Sequence, residues 1–211
     1  MISVSRNASA TALVAALLAA APLHAATVFE NDYVRVSRDE APCARASTPG
    51  CAERMIVAMA ELQLGFGKVV RTLRRGEVAV FKWGESYSPP SGGPYFEVAV
   101  KPNVPPVKSP PEIIPPANNT LLYEGDRFFV YEARLAPGDT RPRHGHSQRL
   151  EIRINRGPLL RQVIDGRAAP QEPAVVNFRE PVVHSVTNVG DMTVWNIILE
   201  FRPGVGSTPR K

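Results

Sequence analysis

Apolar and polar residues alternate along most of this chain, and almost nowhere do they fall into a helical period. Thr27 to Val36 (TVFENDYVRV) alternates like a strand. The segment 53–64 (ERMIVAMAELQL) fits either a strand or a short helix. Val69 to Trp83 reads as two strands with Arg75-Gly76 as the turn between them. Residues 87–94 are turn-rich, and Tyr95 to Val100 returns to strand. Lys101 to Asn119 holds seven prolines. Proline fixes φ and lacks an N–H, so this stretch is excluded from sheet and helix interiors and reads as a semi-rigid connector. Beyond it, strand patterns recur at 120–136, 148–155, 158–164, 173–178, 181–188 and 192–201. Turn residues separate them at Pro137-Gly138, Arg156-Gly157, Asp165-Gly166 and Val189-Gly190-Asp191. Short strands at regular spacing predict an all-β sandwich or barrel.

The two halves echo one another. Phe29-Glu30-Asn31-Asp32 opens the first as Tyr123-Glu124-Gly125-Asp126 opens the second, and each closes on an apolar strand. Either a β-unit is duplicated or the match is shared strand grammar.

Composition narrows the setting. A chain of 211 residues with 44% hydrophobic and 21% charged positions is ordinary for a globular protein. A net charge of +5 permits nucleic-acid binding, but the arginines are scattered and no reader motif is present, so no nucleic-acid partner is expected. Residues 1–25 read as a signal peptide: Arg6, then a short apolar run from Ala10 to Pro22, then a cut before Ala26. The run is too short to span a bilayer comfortably, so the expectation is a periplasmic or secreted protein without a stable membrane anchor. Cys43 and Cys51, the only cysteines, would pair as a disulfide in that compartment, the rival being a thiolate metal pair.

The candidate chemistry lies between Gly138 and Gly157 (GDTRPRHGHSQRLEIRINRG). His144 and His146 share a face of a strand, because side chains alternate with period two. Glu151 could return a carboxylate to them, although its odd offset from His146 requires a bulge or bend. His184 brings a third imidazole from a remote strand. Three imidazoles and a carboxylate suit one divalent Fe, Mn, Ni, Cu or Zn ion per chain. Arg153 shares the face of Glu151, either as a donor to a substrate oxygen or as its partner at the rim. The first half holds no histidine beyond the leader and so no equivalent site.

Gly138, His144, His146, Glu151 and Gly157 resemble the first motif of the cupin superfamily. His184 and Asn188 resemble the close of its second motif, with Pro181 where glycine is usual and Arg179 where proline is usual. The resemblance covers roughly residues 118–203. It implies a cupin-type β-barrel (a double-stranded β-helix, or jelly roll) built as two related β units, only the second a complete cupin. The division is a signal peptide at 1–25, a degenerate half at 26–101, a linker at 102–119, a cupin domain at 120–203 and a tail at 204–211. It also implies that His144, His146, Glu151 and His184 hold the metal, with Glu151 and Arg153 as catalytic candidates. The activity implied is dioxygenase-like, or that of a lyase or isomerase, on a small organic molecule or acid. The alternative is a non-catalytic metal- or ligand-binding protein of the periplasm, and a homodimer is compatible with either.

Overall fold

The structure, a computed structural model, describes residues 26–45, 48–108, 119–157, 159–170 and 174–205. The expected leader lies outside these residues, as do part of the proline connector and most of the tail. The first half contains β1 (Ala26–Glu30), β2 (Val34–Arg38), β3 (Arg54–Ala58), β4 (Leu62–Phe66), β5 (Val69–Leu73), β6 (Val78–Phe81), β7 (Ser88–Gly92) and β8 (Tyr95–Val100). The second contains β9 (Asn119–Glu124), β10 (Phe128–Leu135), β11 (Thr140–His146), β12 (Arg149–Arg153), β13 (Gln162–Ile164), β14 (Arg167–Ala168), β15 (Val176–Arg179), β16 (Val182–Asn188) and β17 (Val194–Phe201). No helix occurs among the described residues, and the strand pairs are antiparallel.

The strands form four layers. Two five-stranded sheets, β1-β2-β8-β3-β6 and β15-β12-β17-β10-β9, pack face to face in the middle. Their common core takes every second residue of each strand: Val34 and Val36, Phe96 and Val98, Leu150 and Ile152, Ile197 and Leu199, all at most 4% exposed. Burying such a side chain contributes about 1.5–3 kcal/mol, so this shared core holds the halves together. The opposite face of each large sheet is covered by a smaller one, β5-β4-β7 in the first half and β11-β16-β13-β14 in the second. Each half therefore encloses an interior of its own.

In both halves the five strands of the large sheet, counted in chain order, lie in the sequence first, second, fifth, third, fourth from one edge. The small sheets also share an arrangement, β5-β4-β7 against β14-β13-β16. Among the described strands, β11 alone has no counterpart. Where the second half inserts β11 between β10 and β12, the first half has the loop between β2 and β3, closed by the Cys43–Cys51 disulfide. Both cysteines are buried, and Arg35 reaches their sulfurs at 3.1 and 3.3 Å. The first interior is otherwise filled by Ile56, Tyr87, Tyr95 and the Arg54 guanidinium, which is spent on the carbonyls of Ala52, Lys82 and Glu85. Burial pushes the Glu97 carboxyl up against the bonds it accepts from Tyr87 and the Cys43 amide.

Local turns follow their residues. Asp165 and Gly166 both take positive φ (46° and 76°), which joins β13 to β14 by a two-residue hairpin, the turn that Asp-Gly favours. Thr27 to Val36, expected as one strand, is two, because Asn31 accepts the amides of Tyr33 and Val34 and folds the chain into a turn. The 120–136 pattern likewise breaks at Gly125 to Arg127, and the ambiguous 53–64 segment is β3, a turn and β4.

Candidate metal centre

The second interior is lined by the polar faces of strands whose other faces build the core. On β17, Ile197, Leu199 and Phe201 enter the core while Ile198 and Glu200 face inward. On β12, Leu150 and Ile152 enter the core, leaving Arg149, Glu151 and Arg153 on the inward face. Opposite them, β11 and β16 pair so that His144 stands directly across from His184, with Gly145 against Val183 and His146 against Val182. The β11–β16 register shifts between Arg141 and His144, which accommodates Pro142 in the ladder.

The three imidazoles converge. One ligand atom from each of His144, His146 and His184 lies within 4.8 Å of the other two. Their ring centroids are 4.7 Å apart for His144–His146 and His144–His184, and 5.4 Å for His146–His184. His144 and His146 are buried and His184 half-buried. Hydrogen bonds fix which nitrogen faces the centre. His144 Nδ1 donates to the Pro142 carbonyl at 2.7 Å, so its Nε2 keeps the lone pair, and that atom is buried without a partner among the described residues. His146 Nδ1 lies 2.9 Å from Glu200 Oε2. Two acceptors cannot share that distance, so with an ionised Glu200 the hydrogen is on Nδ1, and in the neutral ring Nε2 again carries the free lone pair.

Glu200 anchors this arrangement. It is 2% exposed and accepts from Tyr131 Oη at 2.8 Å and the Ser147 amide at 2.8 Å as well as from His146. Burial works to raise its carboxyl, but these hydrogen bonds and the imidazole outweigh it and hold the group below its ordinary value. Burial and the carboxylate together push the Tyr131 hydroxyl up, keeping it a neutral donor. Burial, followed by repulsion from the other two imidazoles, pushes His184 down to about 4. His144 is lowered as well, chiefly by burial. Neutral imidazoles with their lone pairs exposed are the form that binds a metal.

Glu151, expected as the fourth ligand, is not brought into the histidine group. The chain turns a corner at Ser147-Gln148, leaving the small sheet for the large one, and this corner absorbs the odd offset from His146. There the Glu151 carboxylate is held by Arg149 Nε at 2.9 Å and Arg179 Nε at 3.1 Å. Burial opposes ionisation, but the two guanidiniums prevail and keep Glu151 lowered. Arg153 lies two residues along the same face, opposite Asn196. Asn188, which ends the motif, is wholly buried and braces the β16–β17 turn: its Nδ2 donates to the carbonyls of Leu135 and Met192, and its Oδ1 accepts from the Gly190 amide.

Glu200 and Tyr131 escape a reading by motif, since each stands alone in an apolar run. Alternation was the available signal: once Ile197 and Leu199 are assigned to the core, Glu200 must face the histidine side.

No protein-family model matches the sequence, and no curated protein matches it. Among solved structures, a conserved protein of unknown function from Pseudomonas aeruginosa aligns with a TM-score of 0.50 at 12% identity, covering 80% of this chain and 79% of that one. A cupin 2 conserved barrel domain protein from Leptotrichia buccalis aligns with a TM-score of 0.49 at 9% identity over 83% and 87%. AerE from Microcystis aeruginosa gives 0.49 at 16% identity over 80% and 87%. At such identities the likeness concerns the fold. Antiparallel sheets closed around an inward-facing HxH, with a histidine paired across from it, make this an all-β protein, and its fold is like that of the Pseudomonas aeruginosa protein.

Proposed function

We propose that this chain is an exported, metal-dependent cupin that acts on a small organic molecule or acid in a dioxygenase-like reaction. The buried, unpartnered Nε2 of His144, converging with two further imidazoles, is the observation that carries this reading. A buried acceptor left without a donor costs about 1–3 kcal/mol, a cost that a bound cation removes. The donor set fits one divalent Fe, Mn, Ni, Cu or Zn ion held by His144, His146 and His184, with positions left open for water or substrate. Such an ion supplies Lewis-acid polarisation and, where redox-active, electrons to dioxygen.

The protein's own groups do the rest. Glu200 fixes the tautomer and ring plane of His146, so it is a positioning residue. Arg149 and Arg179 keep Glu151 ionised, which makes it a weak base and a fixed negative charge inside the cup. Arg153, on the same face, is the donor assigned to the substrate's carboxylate. The first half is a degenerate cupin acting as scaffold, its β11 position occupied by the disulfide loop. The disulfide supports an oxidising compartment and thereby the leader at 1–25.

Oxygen consumption by metal-loaded protein, screened against small carboxylates and phenols, tests the reaction. Uptake with at least one compound, lost in His144→Ala, is expected. A fully loaded protein that consumes no oxygen with any of them would favour the non-catalytic binding role instead.

A further inference from the structure

Away from the histidines, a groove lies where the two halves meet. Its basic end is a hollow of about 520 Å³ containing Arg71, Arg74, Arg75 and Arg134 against only Glu77 and Glu132. Its more apolar end is a hollow of about 310 Å³ lined by Leu64, Phe66, Phe81, Leu122 and Tyr123, with Glu85 its one acidic residue. The two hollows share Arg71, Val78 and Leu122 in their walls, so they adjoin. Both sizes fall in or near the range of small-molecule sites.

The floor of the basic end is built. The Trp195 indole donates to Glu132 Oε1 at 2.8 Å, and the Arg134 guanidinium lies 4.1 Å from its ring centre. Gly76, at φ 81°, abuts the ring so closely that a Cβ there would come within 2.1 Å of it. Arg75 is spent on the Ile154 carbonyl. Arg71 and Arg74 are different: among the described residues neither side chain has an ion-pair or hydrogen-bond partner. At the other end, Phe66 and Leu122 stay 47% and 39% exposed, so a tail laid along them would bury apolar surface now open to water.

Two unspent guanidiniums beside an uncovered apolar trough match one ligand chemistry. We infer that this groove binds an amphipathic carboxylate, its head on Arg71 and Arg74 and its tail along Phe66 and Leu122. The charge complementarity comes from the basic end and the driving force from burying the tail. The site is separate from the histidine centre and does not depend on it.

Decanoate is the probe, with decanol and acetate as tail-only and head-only controls, titrated into the full-length protein by calorimetry. Trp195 gives a second readout, because Trp83→Phe leaves it the only indole of the two in the chain. One decanoate per chain is expected, with both controls weaker by at least about tenfold. Arg71→Gln with Arg74→Gln, and separately Leu122→Ser, should each weaken decanoate to a similar degree at unchanged melting temperature, while His144→Ala leaves it untouched. Binding of decanol equal to decanoate, an unaffected double arginine variant, or loss of binding in His144→Ala would each overturn the assignment.

Discussion

His144 shows how a single residue is made into a ligand: a short bond from Nδ1 to a carbonyl two residues back leaves Nε2 with a lone pair and no donor. His146 reaches the same state through Glu200. Glu200→Gln should therefore weaken metal affinity by roughly 10–100-fold without changing the ligand set. Glu151→Gln should leave one ion per chain, since two arginines rather than the histidines hold that carboxylate. Competition titrations with a chelator would separate the two, and equal losses would refute the distinction. The pH dependence follows from His184, lowered from 6.5 to about 4. Between those values the native imidazole stays neutral while the unfolded one takes up a proton, so the unfolded chain binds more protons there. Metal-free protein should accordingly lose stability as the pH falls from 6.5 towards 4. His184→Ala should flatten that slope in denaturant melts, and an unchanged slope would contradict the assignment. The histidines were legible in the sequence because strand periodicity and rarity both mark them. Glu200 was not, because choosing the inner face of β17 requires knowing which sheet it packs against.

At the scale of elements, the turns were read more reliably than the strand ends. Arg75-Gly76 and Asp165-Gly166 stand where the structure turns, because glycine supplies the positive φ both turns require. Strand β11, by contrast, is a poor strand by pattern: TRPRHGH carries a proline, a glycine and no aliphatic residue. It is held in place by pairing with β16 rather than by its own propensity. The loop that takes its place in the first half is tied by Cys43–Cys51 across a sequence separation of 8. Closing a loop of that size contributes about 2–3 kcal/mol, so Cys43→Ser with Cys51→Ser should destabilise the protein by about that amount. Equilibrium unfolding measures the loss. In the native protein both thiols should resist labelling until reduced, and immediate labelling would exclude the bond.

For the whole molecule, the decisive feature is the core shared by the two large sheets. The all-β class was visible in the spacing of short strands and turn residues. The face-to-face packing was not, since every central strand reads the same whether its apolar side meets a small sheet or another half. A shared core implies one cooperative transition, and Ile152→Ala or Leu199→Ala should lower the stability of both halves together by about 2–5 kcal/mol. Two resolved calorimetric transitions would contradict this. Elemental analysis of anaerobically purified protein measures whether the second half holds one ion on His144, His146 and His184. About one transition-metal ion per chain is expected, and none in His144→Ala with His184→Ala; a wild-type protein that carries and takes up no metal would rule the centre out.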